Sequence, residues 1–314
     1  MSVLKADGER GAALIIVLGL VAVISGWAAT ATYEDMLSMR RAENMQVSTK
    51  AALACLSALE LAKAALRDDV NHSKTDNLEE DWAQATPPFP VDDGLVSGEI
   101  IDVNRYFNLN SIVDHDGKAS VEMIEVAKRL FALKNLDADL VNVLVDWLDV
   151  DDIPYGPSGM EDSSYYDKDY RVKNAHLDRW QELYFLEGFD AKVLHTLQDV
   201  AVVWALPKGG YSLININTVE PDVLQAMFPN MTSNDVQIVT DGRPYSDINA
   251  LKNSTWAQGI KAQKMFSYLS VLSDGFMVRT HAFFGRADWR ELYGLERTAN
   301  KLILRWRERL LWQP

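Results

Sequence analysis

Cysteine occurs once in the 314 residues, as Cys55, so no internal disulfide can hold the fold together. Glycine and proline are absent from the whole stretch between Gly26 and Pro87, which removes the usual signals for ending a helix there. Positive charge is also short: 31 Lys and Arg stand against 45 Asp and Glu, a net charge of -14. The tail from 286 to 314 reverses the sign locally, with seven basic residues against four acids, so the remainder carries -17. A body this acidic repels a phosphate backbone and argues against nucleic acid as a partner. Catalytic signatures are missing as well. There is no Gly-x-Ser-x-Gly elbow, no Walker loop and no His-Glu-x-x-His. The five histidines, His72, His115, His176, His195 and His281, lie scattered without ligand spacing. The expectation is a protein that is not an enzyme.

What is present begins at the N-terminus. A charged leader, Met1 to Arg10, ends at Gly11, and an uncharged apolar run continues from Ala12 to Thr32. At about 1.5 Å per residue that run spans roughly 30 Å, enough to cross a bilayer core. Three readings are open. A secretory signal peptide would use Ala29-Thr30-Ala31 as its cleavage site, although the run is long for an h-region. An uncleaved signal anchor would simply stay in the membrane. Finally, a basic residue and a glycine at the polar-to-apolar boundary resemble the processing site of type IV prepilins and pseudopilins, which are cut after the glycine and keep the apolar segment.

The residues downstream favour the third. Ala28 to Val70 is rich in Ala, Leu, Met, Glu, Lys and Arg, all strong helix formers. A helix from about Ala13 to Val70 would have its first half in lipid. Its second half would carry an apolar stripe of Leu53, Leu56, Leu59, Ala62 and Leu66. A cleaved signal peptide has no reason to continue unbroken into such a helix, whereas a pilin stem does.

A linker comes next, from Asn71 to Gly94, with Pro87, Pro88 and Pro90 and six acids, and it reads as loop. Leu95 to Val103 alternates as a strand. Met265–Leu272 and Phe276–Phe284 read as two strands joined by a hairpin at Ser273-Asp274-Gly275, and Leu302–Arg307 as the last strand. Strand signals therefore bracket a middle of mostly helical character. The fold class expected is α+β: a long transmembrane and stem helix, then a pilin-like sheet domain carrying a large inserted α-domain. The boundaries are 1–11 for a leader, 12–70 for the anchor and stem, 71–113 for linker and first sheet part, 114–264 for the insertion, and 265–314 for the closing strands. Arg305 and Arg307 on the last strand could meet an acidic partner, or simply solvate an edge.

Within the middle, Phe107-Asn108-Leu109-Asn110-Ser111 is echoed by Ile214-Asn215-Ile216-Asn217-Thr218, each offering an Asn oxygen to cap the next helical stretch. After the second echo, Pro221–Met227 and a restart at Thr232-Ser233-Asn234-Asp235 resemble a helix-hairpin-helix unit. Its hairpin, Phe228-Pro229-Asn230-Met231, lacks the glycines that would let amides approach a phosphate, so these units read as packing modules. Between the echoes lies the densest polar cluster, Asp146-Trp147-Leu148-Asp149-Val150-Asp151-Asp152, running into a Gly/Pro-rich loop and then Met160-Glu161-Asp162. Such carboxylates suit a hard cation like Ca²⁺, which takes about six to eight oxygens and tolerates irregular geometry. The spacing is not that of an EF-hand. A solvated acidic loop with capping aspartates is the plain alternative.

Taken together, the Arg-Gly-Ala junction, the Asn-Leu-Asn, the Asp-Trp-Leu-Asp-x-Asp-Asp with its Gly-Met-Glu-Asp, and the Ile-Asn-Ile-Asn-Thr resemble the general secretion pathway protein K family. These are large minor pseudopilins of type II secretion systems. The resemblance covers nearly the whole chain. It implies Ca²⁺ in the soluble part, with Asp149, Asp151, Asp152, Glu161 and Asp162 as candidate ligands; Met160 stands where the family usually has Ala. It implies cleavage by a prepilin peptidase between Gly11 and Ala12, and N-methylation of Ala12. It also implies a single-pass location in a bacterial inner membrane with the C-terminal domain in the periplasm. The implied partners are the minor pseudopilins I and J and the major pseudopilin, with exported substrates as further candidates. Ile16 then occupies the fifth mature position, where most pilins have a Glu that neutralises a neighbour's terminal amine. A subunit lacking that carboxylate is tolerable where no neighbour lies beyond it, because an unpaired charge in hydrocarbon is costly. The expectation is a subunit at the pseudopilus tip that helps initiate assembly. A type IV pilus-like minor pilin, or a periplasmic binding protein on an uncleaved anchor, remains the alternative.

Overall fold

The computed structural model describes residues 5–207, 211–298 and 301–310. Its first element is a single 68-residue helix, α1 (Lys5–His72), which takes in the end of the charged leader as well as the expected stem. From Gly11 to Gln46 almost every residue of α1 is exposed. Below that the helix lies on a sheet. Ala51, Cys55, Leu59, Ala62 and Leu66 form the buried row, spaced by four, four, three and four residues. The stripe expected from sequence is therefore corrected at its start: Leu53 and Leu56 face outward, with Leu61. Small residues at 51 and 55 let the helix approach the sheet closely, and a reading weighted towards leucine misses them. Burial pushes the Cys55 thiol up to about 11, so it packs as an inert group.

The sheet is five-stranded and antiparallel: β1 (Thr86–Val91), β2 (Gly94–Asp102), β7 (Gly275–Phe284), β8 (Ala287–Thr298) and β9 (Lys301–Leu310), in that spatial order. Strand β7 alternates cleanly. Its Phe276, Val278, Thr280, Ala282 and Phe284 are buried beneath α1. Leu59, Leu66, Trp82, Tyr293 and Leu295 close the core between helix and sheet, with Trp82 edge-on to Phe276 at 5.4 Å.

Two sequence expectations are overturned here. The proline-rich segment read as loop forms β1, which is possible because it is an edge strand, where a missing N–H costs no ladder bond. Met265–Leu272 is not a partner of β7. Helical turns fill its first half, and its two strand residues pair elsewhere. The true hairpin joins β7 to β8 through Gly285, at φ 54°, and β8 went unread in the sequence.

The inserted domain leaves the sheet after β2 and returns before β7, and these two strands are neighbours, with Asp102 opposite Phe276. It contains α2 (Val121–Leu133), α3 (Leu140–Leu148), α4 (Ala191–Leu197), α5 (Pro221–Met227), α6 (Ser233–Asp241) and α7 (Ile260–Met265). The two Asn-x-Asn echoes are equivalent structurally. Each starts a two-residue strand, β3 (Phe107–Asn108) and β5 (Ile214–Asn215). These pair in parallel with β4 (Ala201–Val202) and β6 (Leu269–Ser270) respectively. In each, the second Asn clamps a distant backbone through both ends of its amide: Asn110 on Leu177, Asn217 on Tyr245. Phe228, in the α5–α6 hairpin, is buried against Trp256 and Phe266 at 4.8 and 5.2 Å, so this unit packs inward.

The orientation of the head is set by contacts at its two ends. The turn between β1 and β2 meets the stem through Lys50 and Asp93, at 3.1 Å, and the β7–β8 turn lies beside Val47. At the other end, Arg297 of β8 meets Asp69 and Asp76, just where α1 finishes. Buried Asp102 accepts there from Ser273 Oγ and Thr218 Oγ1 at 2.6 and 2.5 Å. The inserted domain therefore springs from the end of the sheet remote from the apolar part of α1.

Candidate metal centre

Helix α3 is buried along almost its entire length, and it ends by presenting Asp146 and Asp149 three residues apart. The chain then turns through the Gly/Pro-rich loop and returns with Glu161. Two glycines make that return possible. Gly156 sits at φ 71°, and a Cβ on Gly159 would lie 2.5 Å from both Asp146 Oδ2 and the Tyr155 nitrogen. Carboxylate oxygens of Asp146, Asp149 and Glu161 all lie within 4.8 Å of one another. The three residues are at most 4% exposed.

Their hydrogen bonding is incomplete. Asp146 Oδ1 accepts from the Tyr155 nitrogen at 2.7 Å. Among the described residues nothing donates to Asp146 Oδ2, Asp149 Oδ1 or Glu161 Oε1. Burial, then the charge of neighbouring aspartates, pushes Asp149 and Glu161 up to about 7, and burial also raises Asp146. Three buried, mutually repelling carboxylates with unpaired oxygens form a donor set suited to a hard divalent cation.

Of the five candidate ligands, the structure brings Asp149 and Glu161 together and turns the side chains of the others elsewhere. Asp151 caps the Ile153 nitrogen at 2.9 Å, and Asp152 accepts from Asn174 at 3.2 Å. Asp162 accepts from the Val172 nitrogen at 3.0 Å and faces Arg171. All three are exposed. The residue missed was Asp146, visible in the sequence as the helical i, i+3 partner of Asp149. Trp147, between them in sequence, faces a different neighbourhood, within about 6.5 Å of Tyr165, Tyr170 and Phe185.

The residues expected at the leader junction lie on the exposed part of α1. A side chain at Gly11 would meet nothing within 4 Å, and Ala12 and Ile16 are solvent-facing. From Gly11 onwards α1 is long and apolar enough to cross a membrane.

Comparison with known proteins places this architecture. Two family models, both described as type II secretion system protein K, match residues 105–208 and 214–271, more than half of the chain. The chain belongs to the type II secretion system protein K family. It is 33% identical to the protein K of Pseudomonas aeruginosa over 234 residues, covering 70% of this chain and 68% of that one. Against the protein K of Pectobacterium carotovorum it is 28% identical over 302 residues, 90% of this chain and 91% of the relative. Its fold matches a chain in the crystal structure of the GspK-GspI-GspJ complex from enterotoxigenic Escherichia coli. The TM-score is 0.75 at 20% identity, over 86% of this chain and 99% of that chain. The protein K family is not a known enzyme family, and the mixed α/β fold is shared with the solved relative over the matched 86% of this chain.

Proposed function

We propose that this protein K is a minor pseudopilin that caps the tip of a periplasmic pseudopilus and helps to start its assembly. One observation carries the reading. The inserted domain emerges from the end of the head remote from the apolar part of α1, at the Asp102–Phe276 pair, where the next subunit of a growing filament would have to stack. A filament can grow beneath such a subunit but not above it. Ile16, in place of an acid, supports the same position: a subunit with nothing beyond it has no neighbouring amine to neutralise.

The leader is cut after Gly11, and the mature chain, starting at N-methylated Ala12, is held in the inner membrane by α1 with its head in the periplasm. The partners are the I and J pseudopilins, named in the complex that holds the solved relative, and the major pseudopilin below. The outward face of the stem, with Leu53, Leu56 and Leu61, offers them an apolar helix surface. The role is structural rather than catalytic. Immunogold labelling or quantitative mass spectrometry of isolated pseudopili tests the position: about one copy per filament end is expected. Regular copies along the shaft would overturn it. Intact mass of the membrane-extracted protein should begin at Ala12; a start near Thr32, or an uncut chain, favours a periplasmic binding protein instead.

Ca²⁺ is proposed at Asp146, Asp149 and Glu161. When bound, the ion would neutralise the three carboxylates and pin the 150–160 loop to the end of α3. Adding Ca²⁺ to chelator-stripped protein should raise Tm in the parent by more than in Asp149→Asn or Glu161→Gln. A rise undiminished by both substitutions places the ion elsewhere.

A further inference from the structure

A second group of acids lies where stem, sheet and inserted domain meet. Asp69 is on the last turns of α1, and Asp76 and Glu80 are on the segment that leads from there to β1. One carboxylate oxygen from each lies within 4.8 Å of the other two. Asp76 is wholly buried. Its Oδ2 accepts from the Ser273 nitrogen at 2.6 Å and from Arg297, yet among the described residues nothing donates to Oδ1. Arg297 also faces Asp69, at 3.7 Å. Glu80 Oε2 is held by the Asn77 nitrogen and by Trp82 Nε1, at 3.1 and 2.7 Å. Three carboxylates against one guanidinium leave a charge of about -2 in a largely dry junction, which is the charge a single divalent cation cancels.

We propose that Asp69, Asp76 and Glu80 form a second site for a hard divalent cation of the Ca²⁺ class, separate from the Asp146 centre. Bound there, the ion would tie the end of the stem to β8, through Arg297, and to the strand return at Ser273. Burial, then the charges of Glu80 and Asp76, push the Asp69 carboxyl well above the usual range. A proton on Asp69 is the competing arrangement, and it leaves the charge of Glu80 facing it uncancelled.

Trp82 makes the site readable, because its indole bonds a proposed ligand and can sensitise bound Tb³⁺. The experiment uses chelator-stripped full-length protein in detergent, in an Asp149→Asn background that disables the first centre. Saturable Tb³⁺ emission displaced by Ca²⁺ is expected. Its affinity should fall at least about tenfold in Glu80→Gln and in Asp69→Asn, since Ca²⁺ affinity tracks the number of charged ligands. The emission should also drop in Trp82→Phe. Circular dichroism checks folding, and if Asp69→Asn unfolds, Glu80→Gln alone decides. No binding in the Asp149→Asn background, or binding unchanged by Glu80→Gln, overturns the proposal and leaves the proton on Asp69. Either result is independent of whether Asp149 and Glu161 hold an ion.

Discussion

Asp149 and Glu161 differ from the chain's many other acids only in where the fold puts them. Buried together, they are raised to about 7, so without metal the folded state holds protons that the unfolded state has already lost above about pH 4. Stability contributed by these groups is therefore present at low pH and falls as pH rises from about 4 to 7. A bound divalent cation would reverse the trend, because it needs the ionised forms. The Tm gain from saturating Ca²⁺ should be small near pH 5 and should grow towards pH 7.5. Calorimetry at the two pH values checks this, and at 100-fold excess over Kd the stability gained from this one site should approach about 2.7 kcal/mol. Gly159 belongs to the same argument. Its absent side chain makes room for Asp146 Oδ2 and for backbone at 154–155, so Gly159→Ala should cost about 1–3 kcal/mol and weaken the Ca²⁺ response. At this scale the sequence showed the acidic loop but not its partition. Asp146 and Asp151 look alike in a string of letters; only the buried face of α3 separates the inward acid from the one that caps a turn.

The stem shows how one helix serves two surfaces. Leu59 is fully buried against the sheet, whereas Leu61, two residues on, is exposed. Leu59→Ala should destabilise the detergent-solubilised chain by about 2–5 kcal/mol in chemical denaturation. Leu61→Ala should change stability by less than about 0.5 kcal/mol but reduce co-purification with the partner pseudopilins. Equal stability losses in both would mean that Leu61 serves the fold alone. The length and continuity of α1 were legible because strong helix formers run on without glycine or proline. Its buried face was only half legible, because leucines lie on both sides and small residues mark the true contact. The strands were misread for related reasons. A short apolar-aromatic run such as Met265–Leu272 suits a helical turn as well as a strand. Pro87, Pro88 and Pro90 read as loop unless the strand is known to lie at an edge. In β8, Glu291 is fully buried and accepts from Trp289 and Arg307, and that charge pairing conceals a strand from a search for apolar alternation.

For the whole molecule, the decisive relation is that the insertion's two ends are neighbours in one sheet. Replacing residues 103–275 with a short turn should leave β2 and β7 able to pair as an ordinary hairpin under α1. The trimmed protein should unfold cooperatively, though at lower stability because the bonds around Asp102 are lost. In a secretion-competent cell, and with Ile16→Glu added to supply the missing carboxylate, it should also appear along the shaft. Confinement to the filament end after trimming would show that the inserted domain does not set the position.

The same closeness bears on how the chain reaches its native state. About 170 residues separate Asp102 from Phe276, so pairing β2 with β7 from an unfolded chain means closing a very long loop, with a correspondingly unfavourable entropy. If the helical domain condenses first, its own termini are delivered side by side, and a remote encounter becomes a local one. On that account the head cannot outpace its insertion. Substitutions in the inserted core, at Leu144 or Phe228, should slow formation of the pilin sheet although neither residue touches it, and stopped-flow refolding would record the delay.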